Sequence, residues 1–182
     1  MTSKNKQTSY IIGGLLVAVG VLIVIGRSPG TSSAIEANKK PSSSPSSPAS
    51  MRVAQDGSFA SDETFFDFGK ISMARGDVER VFRLKNTSPF PVTVKKMYTS
   101  CMCTTAYLSY EDFKFGPVGM PGHSAVPTIN KEIQSGETFD VRVVFDPAAH
   151  GPAGVGRIER VVTIEEENGN ITQVGFVAVV TP

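Results

Sequence analysis

The chain has 182 residues, with 18 Lys and Arg against 17 Asp and Glu, two His, two Cys and no Trp. That length fits one ordinary domain plus a tail. A net charge of +1 with 19% charged residues argues against nucleic-acid binding, two cysteines argue against a multi-bridge disulfide scaffold, and two histidines leave few groups for acid–base chemistry.

Residues 1–50 carry Lys4, Lys6, Arg27, Lys39 and Lys40 against Glu36 alone, whereas the remainder carries 13 basic and 16 acidic side chains. Within that basic front end, Tyr10 to Gly26 is a run of 17 uncharged residues, eleven of them Ile, Leu or Val. At 1.5 Å per residue the run spans about 25 Å. It predicts a single transmembrane helix over residues 10–27. Lys4 and Lys6 place residues 1–9 in the cytoplasm and the rest of the chain outside it. The alternative is a cleaved signal peptide, but the apolar run exceeds the usual length and no small-x-small site directly follows it.

Ser28 to Ser50 holds nine Ser and four Pro in 23 residues. Such a stretch buries too little apolar surface to offset its ordering entropy. Residues 28–58 are therefore expected to form a disordered linker between the membrane and a folded domain at residues 59–182.

The body reads as strands. Phe65, Phe66 and Phe68 open it as core aromatics. Phe82 and Leu84 alternate with Arg83 and Lys85, and Val92 and Val94 continue that period until Lys95-Lys96 breaks it, as a bulge would. Phe139, Val141, Val143 and Phe145 alternate again. Glu167-Asn168-Gly169-Asn170 is a hairpin turn joining Ile158–Glu165 to Thr172–Val180, and the latter strand is apolar on both faces. Turns recur at Asn86-Thr87-Ser88-Pro89, Gln134-Ser135-Gly136-Glu137 and Asp146-Pro147. No convincing 3.6-residue period occurs in the body. The expectation is an all-β, immunoglobulin-like sandwich of about seven strands, without the Cys…Trp…Cys pattern of antibody domains. Glu165-Glu166-Glu167 reads as a solvated turn. The sequons at Asn86 and Asn170 are explained by turn chemistry.

Several pieces in order, Phe66-Asp67-Phe68-Gly69, Phe82-Arg83-Leu84-Lys85-Asn86, Val92-Thr93-Val94 and Ser100-Cys101-Met102-Cys103-Thr104, then Ser135-Gly136-Glu137 and Val143-Val144-Phe145-Asp146-Pro147, resemble the bacterial domain of unknown function 1573. That family is related to cilia- and spindle-associated immunoglobulin-like modules. The resemblance covers about residues 62–182. It implies a seven-stranded, exported or membrane-anchored sandwich and no known activity. This chain departs from the family spacing: about 30 residues separate the Cys motif from the Ser-Gly-Glu turn. That insertion and the Asp146–Pro152 loop hold the two histidines.

Cys101 and Cys103 are the chemically distinctive pair. On an extended strand both sulfurs face one side, and a disulfide between them would require a turn. Thiolates suit Cu(I) or Zn. His123 and His150 are the natural completing ligands, and Met102 and Met120 offer thioethers that favour Cu(I). Against this, cysteines often pack simply as small hydrophobes, and a lone Cys-x-Cys is a weak metal signal. A histidine ring within about 5 Å of both sulfurs would favour metal binding, since direct ligands lie at about 2.0–2.3 Å. Enzyme motifs such as G-x-S-x-G, H-E-x-x-H and the phosphate-binding loop are absent.

The expected protein is thus a non-enzymatic, single-pass membrane module with an extracytoplasmic binding or structural domain and an envelope protein as partner. The alternative is a Cu(I)- or Zn-handling domain using Cys101, Cys103, His123 and His150. A thiol–disulfide function is a third reading, disfavoured because no helix N-terminus is visible beside the cysteines.

Overall fold

Alternating apolar side chains become paired strands throughout the computed structural model, which describes residues 55–182. The anchor expected at residues 10–27 and most of the expected linker lie outside the described residues. Among the described residues, no helix is long and apolar enough to cross a membrane.

Ten strands follow in chain order: β1 (Phe59–Ala60), β2 (Phe65–Ser72), β3 (Val78–Asn86), β4 (Val92–Thr99), β5 (Thr104–Tyr110), β6 (Phe113–Val118), β7 (Lys131–Ile133), β8 (Thr138–Phe145), β9 (Gly156–Glu166) and β10 (Ile171–Thr181). They form two five-stranded sheets, in the orders β1-β3-β8-β5-β6 and β2-β10-β9-β4-β7. Each sheet turns its apolar face inward. Phe82, Leu84, Leu108, Phe139 and Val141 from one meet Val94, Met97, Ile164, Val174 and Phe176 from the other. Edge-to-face aromatic pairs lie within this layer, Phe59 on Phe139 at 4.9 Å and Phe68 on Phe176 at 5.3 Å.

The strand count exceeds the expected seven because short edge strands such as β1 and β7 add to the long ones. Much of the expected insertion forms strands. Residues after the Cys motif build β5 and β6, which pair with each other, and β7, which pairs with β4. Phe115 to Val118, within that insertion, lies in β6. The bulge expected at Lys95-Lys96 is present as a register shift between Val94 and Lys96. The hairpin turn also forms where expected, with Gly169 at φ 88° and the Glu166 amide donating to the Asn170 carbonyl at 2.9 Å.

One expectation fails outright. Glu166 is not solvated but fully buried. Its carboxyl accepts from the Ser58 amide, from the Ser58 hydroxyl at 3.0 Å and from the Asn168 side-chain amide at 3.3 Å. Contacts with the body therefore reach back before Phe59. Gln55 bridges Thr172, and its side-chain amide donates to the Gln173 carbonyl at 2.7 Å. Asn86 is also fully buried, its amide donating to the Phe90 and Ile133 carbonyls, each at 3.0 Å.

The sandwich has two distinct ends. Thr99, Thr104, Phe145 and Gly156 share one, and the hairpin after Glu166, Asn86 and Thr138 share the other. The cysteines lie at the first.

Candidate metal and thiol site

The β4–β5 connection is four residues, Ser100 to Cys103, and it must reverse from one sheet to the other. Hydroxyl groups satisfy the backbone there. The buried Thr99 hydroxyl donates to the Cys101 carbonyl at 2.9 Å and lies 3.0 Å from the Thr104 carbonyl. The Ser100 hydroxyl accepts from the Val161 amide at 2.9 Å, taking over a ladder position where β4 departs from β9. The Thr104 amide returns to the Cys101 carbonyl at 3.2 Å. This closure draws the Cys101 and Cys103 Cα atoms to 5.3 Å, less than an extended strand allows, and the two sulfurs are joined as a disulfide. Both cysteines are buried, at 7% and 3% exposure.

A second loop delivers the histidine. The Asp146 amide donates to the Cys103 carbonyl at 2.9 Å, tying the end of β8 to the cysteine turn. Its carboxylate accepts from the Ala148 amide at 2.8 Å, and the Gly151 amide donates to the Ala148 carbonyl at 2.8 Å. Gly151 takes φ 54°, a left-handed conformation that glycine adopts without strain. Between these turns His150 carries its Nε2 to 3.1 Å from Cys101 Sγ. The two sulfurs and a ring nitrogen of His150 lie within 4.8 Å of one another.

Of the four expected ligands, three converge. His123 is solvent-exposed in the loop after β6, its amide donating to the Met120 carbonyl at 3.1 Å, and it is outside the convergent group. Met102, at the tip of the cysteine turn, is 50% exposed, and Met120 is partly buried.

Arg160 is the residue that sequence reasoning missed. From β9 its Nε donates to Cys103 Sγ at 3.2 Å, and another guanidinium nitrogen donates to the Glu159 carbonyl at 2.8 Å. Among the described residues, no carboxylate forms an ion pair with Arg160; the pairs present are Arg80–Glu63, Arg83–Asp140 and Arg142–Glu79. Partial burial lowers the Arg160 pKa from its ordinary value, although a guanidinium stays charged across the physiological range. Each sulfur thus has one side-chain nitrogen partner, His150 on Cys101 and Arg160 on Cys103, and Cys101 Sγ also accepts from the Cys103 amide at 3.3 Å. A groove of about 470 Å³ beside β3, lined by Ser61, Glu63, Arg80, Arg83 and Lys85 among others, shares no residue with this cluster.

Residues 59–120, which include the cysteine turn, match the family described as protein of unknown function DUF1573. No curated protein matches the chain. Among solved structures, a protein of unknown function from Porphyromonas gingivalis W83 is 16% identical, with 71% of this chain aligned to 50% of that one at a TM-score of 0.49. This chain therefore spans half the length of that protein. The ASH/PapD-like domain 7 of human CEP192 is 13% identical, with 78% of this chain covering 98% of that domain at a TM-score of 0.40. The YadV chaperone is 10% identical, with 69% of this chain covering 53% of that chain at a TM-score of 0.41.

Proposed function

We propose that this chain is a non-enzymatic, membrane-tethered extracytoplasmic module that holds one soft metal ion on Cys101, Cys103 and His150, Cu(I) before Zn. The observation that carries this reading is the imidazole of His150, with Nε2 3.1 Å from Cys101 Sγ and a ring nitrogen within 4.8 Å of both sulfurs, which their disulfide already holds together. Two thiolates and an imidazole form a ligand set suited to either ion, and a three-coordinate set with no carboxylate oxygen favours the softer one. Binding requires the reduced pair. Once the disulfide is broken, the sulfurs part to roughly 3.7–4 Å to share one ion, and the cysteine turn has only to open locally. The uncharged run from Tyr10 to Gly26 supports the tether, and Lys4 and Lys6 support its orientation. Its partner is then an envelope protein that delivers or receives the ion.

The test is a titration of the reduced, full-length chain in mild detergent with Cu(I) and with Zn(II), each against a chromophoric chelator and beside Cys101→Ser/Cys103→Ser. One equivalent bound by the native chain and lost in the double variant is the expected result. Binding no tighter than the variant's refutes metal handling and leaves a tethered binding or structural module.

A further inference from the structure

We infer that Arg160 selects the charge of the bound ion, making the site prefer a monovalent soft cation over a divalent one. The inference rests on the metal reading proposed above and adds a residue that is not a ligand.

The argument is electrostatic. Two thiolates and a neutral imidazole carry a charge of −2. A monovalent ion leaves the cluster at −1, and the Arg160 guanidinium, its Nε 3.2 Å from Cys103 Sγ, brings the local sum to zero. A divalent ion neutralises the thiolates by itself, and Arg160 then stands beside it as an unbalanced positive charge. Both cysteines are buried and Arg160 is partly buried, so uncompensated charge there is expensive. No other side chain plays the balancing role. Among the described residues, no carboxylate joins the convergent group or pairs with Arg160. The neighbouring Glu159 projects to the opposite face of β9 by strand alternation. Among the described residues, the guanidinium therefore has one charge-bearing partner in reach, the sulfur of Cys103, and that sulfur is anionic only when reduced.

With the guanidinium roughly 4–5 Å from the ion and an effective dielectric constant near 20, one unit of ionic charge changes relative affinity about 300- to 1,000-fold, which solvent at the partly exposed Arg160 screens to about 100-fold. The reduced full-length chain would be titrated with Cu(I) and Zn(II) as native protein, Arg160→Met, Arg160→Gln and Arg160→Lys. The Cu(I)-to-Zn(II) affinity ratio is expected to fall about 100-fold in the two neutral variants, mostly through tighter zinc binding, and to stay within about threefold of native in Arg160→Lys. A merely structural role would weaken both ions together and leave the ratio unmoved, which would overturn the inference. An unchanged ratio with both affinities intact would overturn it equally. If the native chain binds neither ion, the metal reading itself falls, a failure distinct from an unaltered ratio.

Discussion

Replacing Glu166 with Ala should cost the domain about 2–4 kcal/mol. The carboxyl is fully buried and accepts from the Ser58 amide, the Ser58 hydroxyl and the Asn168 amide. Hydrogen bonds to a charged acceptor contribute about 1.5–3 kcal/mol each when fully desolvated. Ser58 is only half-buried and Asn168 is exposed, so water can take over part of the lost bonding. Three full contributions would therefore overstate the loss. The side-chain cavity adds to it, partly offset by removal of a buried carboxyl. For a domain of this size the shift in Tm is roughly 8–15 °C. Glu166→Gln keeps the shape but turns one acceptor into a donor, and should cost about 1–2 kcal/mol. Urea and thermal unfolding by circular dichroism would measure both, and hydrogen exchange would show the Ser58 amide losing protection before the β9 amides do. A double-mutant cycle with Ser58→Ala isolates the pair. A loss below about 0.5 kcal/mol in Glu166→Ala, or Ser58 exchange unchanged, would refute the assignment of Glu166 as the residue that fastens the entering chain.

Other outcomes follow from the same geometry. His150→Ala should weaken ion binding by about 10- to 100-fold, whereas His123→Ala should leave it unchanged; chelator competition separates them. Oxidation with diamide should abolish ion uptake and a reductant should restore it, followed by thiol counting beside the titration. Gly116→Ala should destabilise the domain by several kcal/mol, about 3 or more. Gly116 takes φ 125°, and an added Cβ would stand 2.7 Å from the Ala106 carbonyl oxygen and 3.0 Å from Tyr107 Cα, both backbone atoms of β5. A urea midpoint within error of the native one would refute that last expectation.

The strands were legible because their burial alternates with the same period as their residues. Phe139, Val141, Val143 and Phe145 face inward, while the residues between them are partly exposed. The cysteine turn was less legible. Its closure depends on the Thr99 hydroxyl lying near two carbonyls, and spacing alone does not report that contact. His150 could be proposed because a Gly/Pro-rich loop carried it, but nothing local distinguished it from His123. Glu166 looked solvated because it sits in an acidic run, and its partner Ser58 lies 108 residues earlier. Arg160 was hidden for a similar reason, since its sulfur partner is 57 residues away. A signal was available: Glu159 and Arg160 are consecutive charges in a strand, so one of them had to face inward.

The two ends of the sandwich give the domain a polarity. Gln55 and Ser58 are fastened at the Thr172 and Glu166 end, while the sulfurs, His150 and Arg160 occupy the other. Along β9 the six residue-to-residue steps from Arg160 to Glu166 separate these ends by roughly 20 Å. Among the described residues, the chain is thus fastened at one end of the sandwich and carries the sulfur cluster at the other. Under the proposed reading, a partner that reaches the sulfurs does so on a surface that the Ser58–Glu166 contact does not occupy.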